Sequence, residues 1–156
     1  MPEEISRPEP WLRGVLPGVE PVIGHLLRSS QQIREDLAAA IPPQSPAGFH
    51  LKHLAGSTDR LCTYLEGRQL SRRQMDALAG EHEPGGSAAT WLAAIDQALD
   101  RYEEIIRRLT PEQFGEIRHV GRQRLETTAI GLAIHIVEHG QRHTGQAITC
   151  RKLTKS

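Results

Sequence analysis

Aromatic side chains are scarce in this chain, 4% of its residues. That argues against a surface built on base stacking and against a large β-sandwich, both of which lean on flat, bulky rings. No excess of one charge exists either: lysine plus arginine and aspartate plus glutamate number 19 each. A neutral balance lacks the basic footprint that nucleic acid or an anionic membrane surface selects. No stretch approaches the ~20 apolar residues that span a bilayer. The opening Met-Pro-Glu-Glu is acidic and leads into no apolar run, so no signal peptide is expected. The two cysteines, Cys62 and Cys150, lie far apart and in no metal or redox spacing. They read as buried thiols in a reducing compartment, with the cytoplasm as the expected location. Also missing are a G-x-S-x-G elbow, a Gly-rich phosphate loop and a Cys-His nucleophile spacing.

What is present is helical patterning. At 156 residues the chain is long enough for one domain with a real core. Proline and glycine divide it into four long helical candidates. The first follows Pro17-Gly18, repeats Val19, Val22, Ile23, Leu26, Ile33 and Leu37 at helical spacing, and stops before Pro42-Pro43. The second is expected to begin after Ser45-Pro46 and to end near Glu66, with Gly67 as its stop. Its inner face holds His50, His53, Leu54, Ser57, Leu61, Tyr64 and Leu65; Lys52, Asp59, Thr63 and Glu66 form the outer face.

A short helix over 71–79 opens on a capping box, Ser71-Arg-Arg-Gln74. The third long helix starts near Ser87 and carries Trp91, Leu92, Ile95, Leu99, Tyr102, Ile106 and Leu109. A long connection runs from Thr110-Pro111 through Gly121. The fourth helix starts near Thr127 or Thr128 and ends near Cys150. No strand run is convincing; Val120 to Leu125 is the one extended candidate, short and arginine-rich. The expected fold is all-α, a four-helix bundle with a crossover connection. The domain spans 18–151, after an N-terminal extension over 1–17 and before a C-terminal tail over 152–156.

The chemistry concentrates in the fourth helix. His135, His139 and His143 recur every four residues and span only about 80° of its circumference. The same stripe carries Leu132, Ile136 and Ala147, so it faces inward. Buried imidazoles need partners, because an unpaired polar group in a core is costly. A metal ion, a carboxylate, a carbonyl or water can serve. Imidazole suits borderline transition metals, and His139 and His143 can offer two ligands to one ion. A third is available on the second helix, where His53 faces inward and His50 lies one turn before it. The alternative is a set of ordinary core or surface histidines, and spacing alone favours it. His135 is either a fourth group at the site or a core residue below it, and the core reading is preferred. His25, His82 and His119 read as surface residues, the last two in loops. Ser57, one turn after His53, either lines a pocket or, the preferred reading, is a small packing residue.

His135-Ile-Val-Glu138-His139 also fits H-x-x-E-H, a metallopeptidase signature with glutamate as general base. Glu138 lies roughly 80° from the middle of the two histidines on a helical wheel, which makes it a solvated edge beside Arg142. Gln146, one turn past His143, is either an outer partner of a histidine or a packing residue.

Several segments together resemble one family. They are Gly48-Phe-His-Leu-Lys-His-Leu-Ala-Gly-Ser-Thr-Asp-Arg-Leu61, Tyr64-Leu-Glu-Gly67, Val120-Gly-Arg122 and Glu138-His-Gly-Gln-Arg-His-Thr-Gly-Gln146. The family is the DinB-like (DNA-damage-inducible, YfiT-related) superfamily, and the likeness runs from about Gly18 to Cys150. It implies a four-helix bundle with a crossed connection, often dimeric. It also implies a divalent metal held by three histidines, one from the second helix and two from the last. By motif these are His53, His139 and His143, although His50 one turn away leaves the choice on the second helix open. Nickel, zinc, manganese and iron are all chemically possible. The activities implied include metal-dependent transfer of a small thiol, such as bacillithiol or mycothiol, to an electrophile; a ring-opening isomerase is known among relatives.

Two functions therefore stand. One is a metal-dependent enzyme that moves a small-molecule thiol onto an electrophile. The other is a non-catalytic helical dimer with a structural or vestigial metal site. Neither nucleic acid nor membrane is expected as a partner. A homodimer is expected from the resemblance and from a second apolar band on the fourth helix, Ile130, Ile134, Val137 and Ile148. A neighbouring helix of the same chain is the other cover for that band.

Overall fold

The computed structural model describes residues 19–154. The expected 1–17 extension lies outside them. Helix α1 spans Glu20–Ala40, α2 Phe49–Leu65, α3 Arg72–Ala79, α4 Ala88–Arg108, α5 Pro111–Phe114 and α6 Ala129–Leu153. Strands β1 (Ile117–Val120) and β2 (Leu125–Thr128) form one small antiparallel hairpin between α5 and α6. Helix α6 runs through Leu153, so the tail expected at 152–156 begins inside a helix. No helix among the described residues is long and apolar enough to cross a membrane.

The four long helices form the expected bundle. Helix α2 packs on α4 and α6, and α1 packs on the same two. Around the bundle the order is thus α1, α6, α2, α4. The links α1 to α2 and α4 to α6 both join diagonal positions, so the crossover occurs twice. The α1–α2 link is pinned where it passes α4. The amides of Ala88 and Ala89 donate to the carbonyls of Ser45 (2.8 Å) and Pro43 (2.9 Å). Those bonds satisfy two donors that the start of a helix otherwise leaves orphaned.

Local chemistry explains the ends. Ser71 and Gln74 form the reciprocal capping box expected of α3, and Ser87 and Thr128 cap α4 and α6. Thr110 and Gln113 make a second capping box, which turns the start of the long connection into the single helical turn α5. One start differs from expectation. Helix α2 begins at Phe49 with Gly48 before it, not after Ser45-Pro46. The Ser45 hydroxyl donates instead to the Pro42 carbonyl at 2.6 Å, and Pro46 bridges to Ser87. Ser45 thus closes a turn on Pro42, and Pro46 pairs beside the start of α4.

The hairpin corrects the sequence reading. Residues 121–124 form its turn, not a strand, and the strands flank it. Val120 pairs with Leu125, and Gly121 (φ 77°) and Arg124 (φ 50°) adopt the left-handed conformations that reverse the chain. His119 consequently lies in β1 and not in a loop. Buried Arg118 anchors the hairpin by donating from Nε to the Leu65 carbonyl at 2.7 Å, which occupies an acceptor at the end of α2.

Two clusters of buried side chains fill the bundle. One gathers Leu26, Leu65, Tyr102, Ile106, Phe114 and Ile136 near the hairpin; the other gathers Ile33, Leu37, Leu54, Ile95 and Leu99. Tyr102 is fully buried and donates its hydroxyl to the Ala133 carbonyl at 2.8 Å. The outer face expected for α2 is largely covered as well, with Thr63 buried. Arg101 of α4 reaches Asp59, Thr63 and Glu66, and Gln74 of α3 reaches Asp59 and Thr63. Polar side chains can be buried at such a seam because each finds a partner.

Candidate metal centre

Helices α2 and α6 run beside each other and put their histidines face to face. His53, His139 and His143 each offer a ring nitrogen such that all three atoms lie within 4.8 Å of one another. The His143 ring centroid lies 4.4 Å from those of both His53 and His139, and the His53 and His139 centroids are 5.3 Å apart. All three side chains are half-buried. Their spacing along α6 comes from the helical period; the meeting with His53 comes from packing. Gly140 lies on the same stretch of α6 and admits close approach by α1. A Cβ there would stand 2.8 Å from Ile33 Cδ1.

The electrostatics favour neutral rings. Burial, and then the neighbouring imidazoles, push His139 and His143 down to about 4. His50 is also lowered, by burial and by His53. Rings held neutral near pH 7 keep a lone pair for coordination. Three convergent, partly desolvated imidazole nitrogens are a donor set that fits a borderline divalent ion. Among the described residues, this is the group of histidine, cysteine or acidic side chains whose donor atoms converge in this way.

His50 stands beside the group. Its Nδ1 lies 3.1 Å from His143 Nδ1, a hydrogen bond between the two rings. His135 is exposed, which corrects its expected core position; the side chain lies on the solvent edge of α6, 5.7 Å from His139 between centroids. Glu138 is exposed too and faces Arg142 at 3.9 Å, as a solvated edge should. Gln146 is exposed, and no hydrogen bond ties it to the histidines. Ser57 is buried and donates weakly to the Leu54 carbonyl at 3.4 Å, a packing role. His25 and His82 are exposed. His119 is half-buried and stands 3.6 Å from Glu126.

One residue at the centre escaped the sequence reading. Glu81, in the loop after α3, is buried and places Oε2 2.8 Å from His53 Nδ1. Its other oxygen accepts from Arg60 Nη1 at 3.0 Å. Nothing in the spacing of Glu81 relative to α2 signals this contact, because a loop delivers it. Gly56 was the available hint. A Cβ at that position would meet Glu81 Oε1 at 2.6 Å and Arg60 Nη1 at 2.8 Å.

A crossed helical bundle with a cluster of facing histidines between two of its helices defines a class of candidate metalloproteins. The family model of the DinB superfamily matches residues 7–147, and the chain belongs to that superfamily. A search among curated proteins gives no match.

Proposed function

We propose that the protein holds one divalent metal ion through His53, His139 and His143 and uses it to transfer a small thiol to an electrophile. The observation that carries this reading is the convergence of three imidazole nitrogens from two helices, with His139 and His143 held neutral by burial. Family membership agrees with it. Nickel, zinc, manganese and iron each suit such donors. An ion held by these side chains would supply positive charge that favours the thiolate form of a small thiol. His53, His139 and His143 would hold the ion at the α2–α6 seam, His50 contacts His143, and Glu81 contacts His53. In the transfer the thiol would release its proton to solvent, its sulfur would bond the electrophilic carbon, and the leaving group would depart with the electrons of the bond that breaks. A cytoplasmic setting goes with this reading, since small thiols are kept reduced there.

A homodimer is part of the proposal. Of the second apolar band on α6, Val137 is buried, and Ile130 and Ile148 pack on the chain's own core. Ile134 stays 45% exposed beside a groove shared with Pro21 and Val22 of α1. That smaller patch is the surface we assign to a second copy. Light scattering that gives a 17.3 kDa particle at micromolar concentration would overturn it.

One observation favours the non-catalytic alternative. Two broad grooves, one among α2, α3 and α4 and one between α1 and α6, are lined by none of the three histidines. The peptidase alternative loses ground, because Glu138 and His135 lie on the exposed side of α6. The deciding experiment loads untagged protein with each candidate metal. It then assays bacillithiol, mycothiol, glutathione and coenzyme A against a panel of electrophiles. A metal-dependent rate is expected with at least one pair. None above background, in fully loaded protein, moves the protein to the non-catalytic reading.

A further inference from the structure

We propose that Glu81, braced by Arg60, is a positioning residue that fixes the tautomer and the angle of the His53 ring for metal binding. The inference rests on the metal reading above and adds a residue to it. A carboxylate can only accept, so the 2.8 Å contact puts a proton on His53 Nδ1, and in the neutral ring the lone pair is then on Nε2. A histidine that ligates through one nitrogen is commonly held by a carboxylate on the other.

The carboxylate is itself held from several sides. Arg60 occupies the second oxygen, and the two side chains are 11% and 5% exposed. Gly56 leaves the space in which that pair sits. The loop is fastened to the first turn of α2 on both sides of Glu81. Lys52 Nζ donates to the carbonyls of Gly80 (3.0 Å) and Glu83 (2.8 Å). The His82 ring stacks on Phe49 at 5.0 Å and 6°, and Phe49 stacks on His53 at 5.3 Å and 15°. A carboxylate serving only to pair Arg60 would not need its second oxygen aimed at an imidazole. Nor would it need that imidazole stacked on the Phe49 ring.

The test uses untagged, full-length protein and zinc alone. In the metal-free wild type, long-range ¹H–¹⁵N correlation spectra should show His53 as the Nδ1–H tautomer. Glu81→Ala should lose that preference and bind zinc about 10- to 100-fold more weakly by calorimetry. Glu81→Gln keeps an acceptor oxygen, so it should keep the tautomer and recover part of the affinity. A purely structural Glu81 would change the melting temperature in both variants and leave tautomer and zinc affinity alone. Wild-type zinc binding with Glu81→Ala unchanged overturns this inference and leaves the metal reading standing. Wild type that takes up no zinc overturns the metal reading itself. If Glu81→Ala does not fold, the wild-type spectrum decides: His53 with its proton on Nε2 overturns the inference.

Discussion

His50 Nδ1 and His143 Nδ1 stand 3.1 Å apart, a hydrogen bond that joins α2 to α6. One ring must donate and the other accept, so the pair cannot both present lone pairs there. His50 is excluded from the convergent group while touching one of its members. His50→Ala should therefore weaken metal binding modestly, within the ~10–100-fold that an outer partner is worth. His53→Ala, His139→Ala and His143→Ala should each cost more than that. Calorimetry on the four variants separates the roles. Loss of binding in His50→Ala alone would show that the second-helix ligand is His50.

The stability of the metal-free protein should depend on pH through the same cluster. His139 and His143 are lowered to about 4, against an ordinary value of 6.5. Below 6.5 the unfolded chain binds protons that the folded chain refuses. Stability is thus fully present above about pH 6.5 and is lost as pH falls toward 4. Urea midpoints measured between pH 4 and 7.5 should decline on the acid side. The decline should shrink in a His139→Gln, His143→Gln double variant. A midpoint unchanged down to pH 5 in the metal-free wild type would contradict the burial of these rings.

Gly140 should resist substitution. Its missing Cβ leaves the space taken by Ile33, which is 1% exposed in the core. Gly140→Val must push α1 away from α6 or force Ile33 off its rotamer, an overpacking cost of about 1–3 kcal/mol. A thermal melt of the metal-free variant should show the loss. A melting temperature equal to wild type would mean that the α1–α6 seam is looser than described.

The two cysteines should react differently. Cys62 is fully buried and its thiol is pushed up to about 12, mainly by burial, whereas Cys150 is exposed. The sequence reading buried both; only Cys62 is inside. Brief treatment of native protein with a maleimide should modify Cys150 alone, as peptide mass mapping can read, with Cys62 following only on unfolding. Equal labelling of the two in native protein would contradict the packing around Cys62.

The sequence by itself determined the helices and one side of the site. Apolar residues at helical spacing, with Ser71, Ser87 and Thr128 as caps, are local signals, and local hydrogen bonding decides them. The 3.6-residue period likewise aligned His139 with His143. Tertiary structure decided what no period encodes. Ser45-Pro46 looked like a helix start, but their polar groups are taken by Pro42 and by the first turn of α4. The β1–β2 hairpin was too short to show as a pattern, and it is held from outside by Arg118 on Leu65. His135 shares the stripe of His139, yet it emerges into solvent at the edge of the α2–α6 contact. Glu81 reaches His53 across 28 residues of chain, through a loop clamped by Lys52 and by the Phe49–His82 stack. Contacts between residues on different elements depend on how faces pack, and packing follows from the whole chain rather than from any one segment.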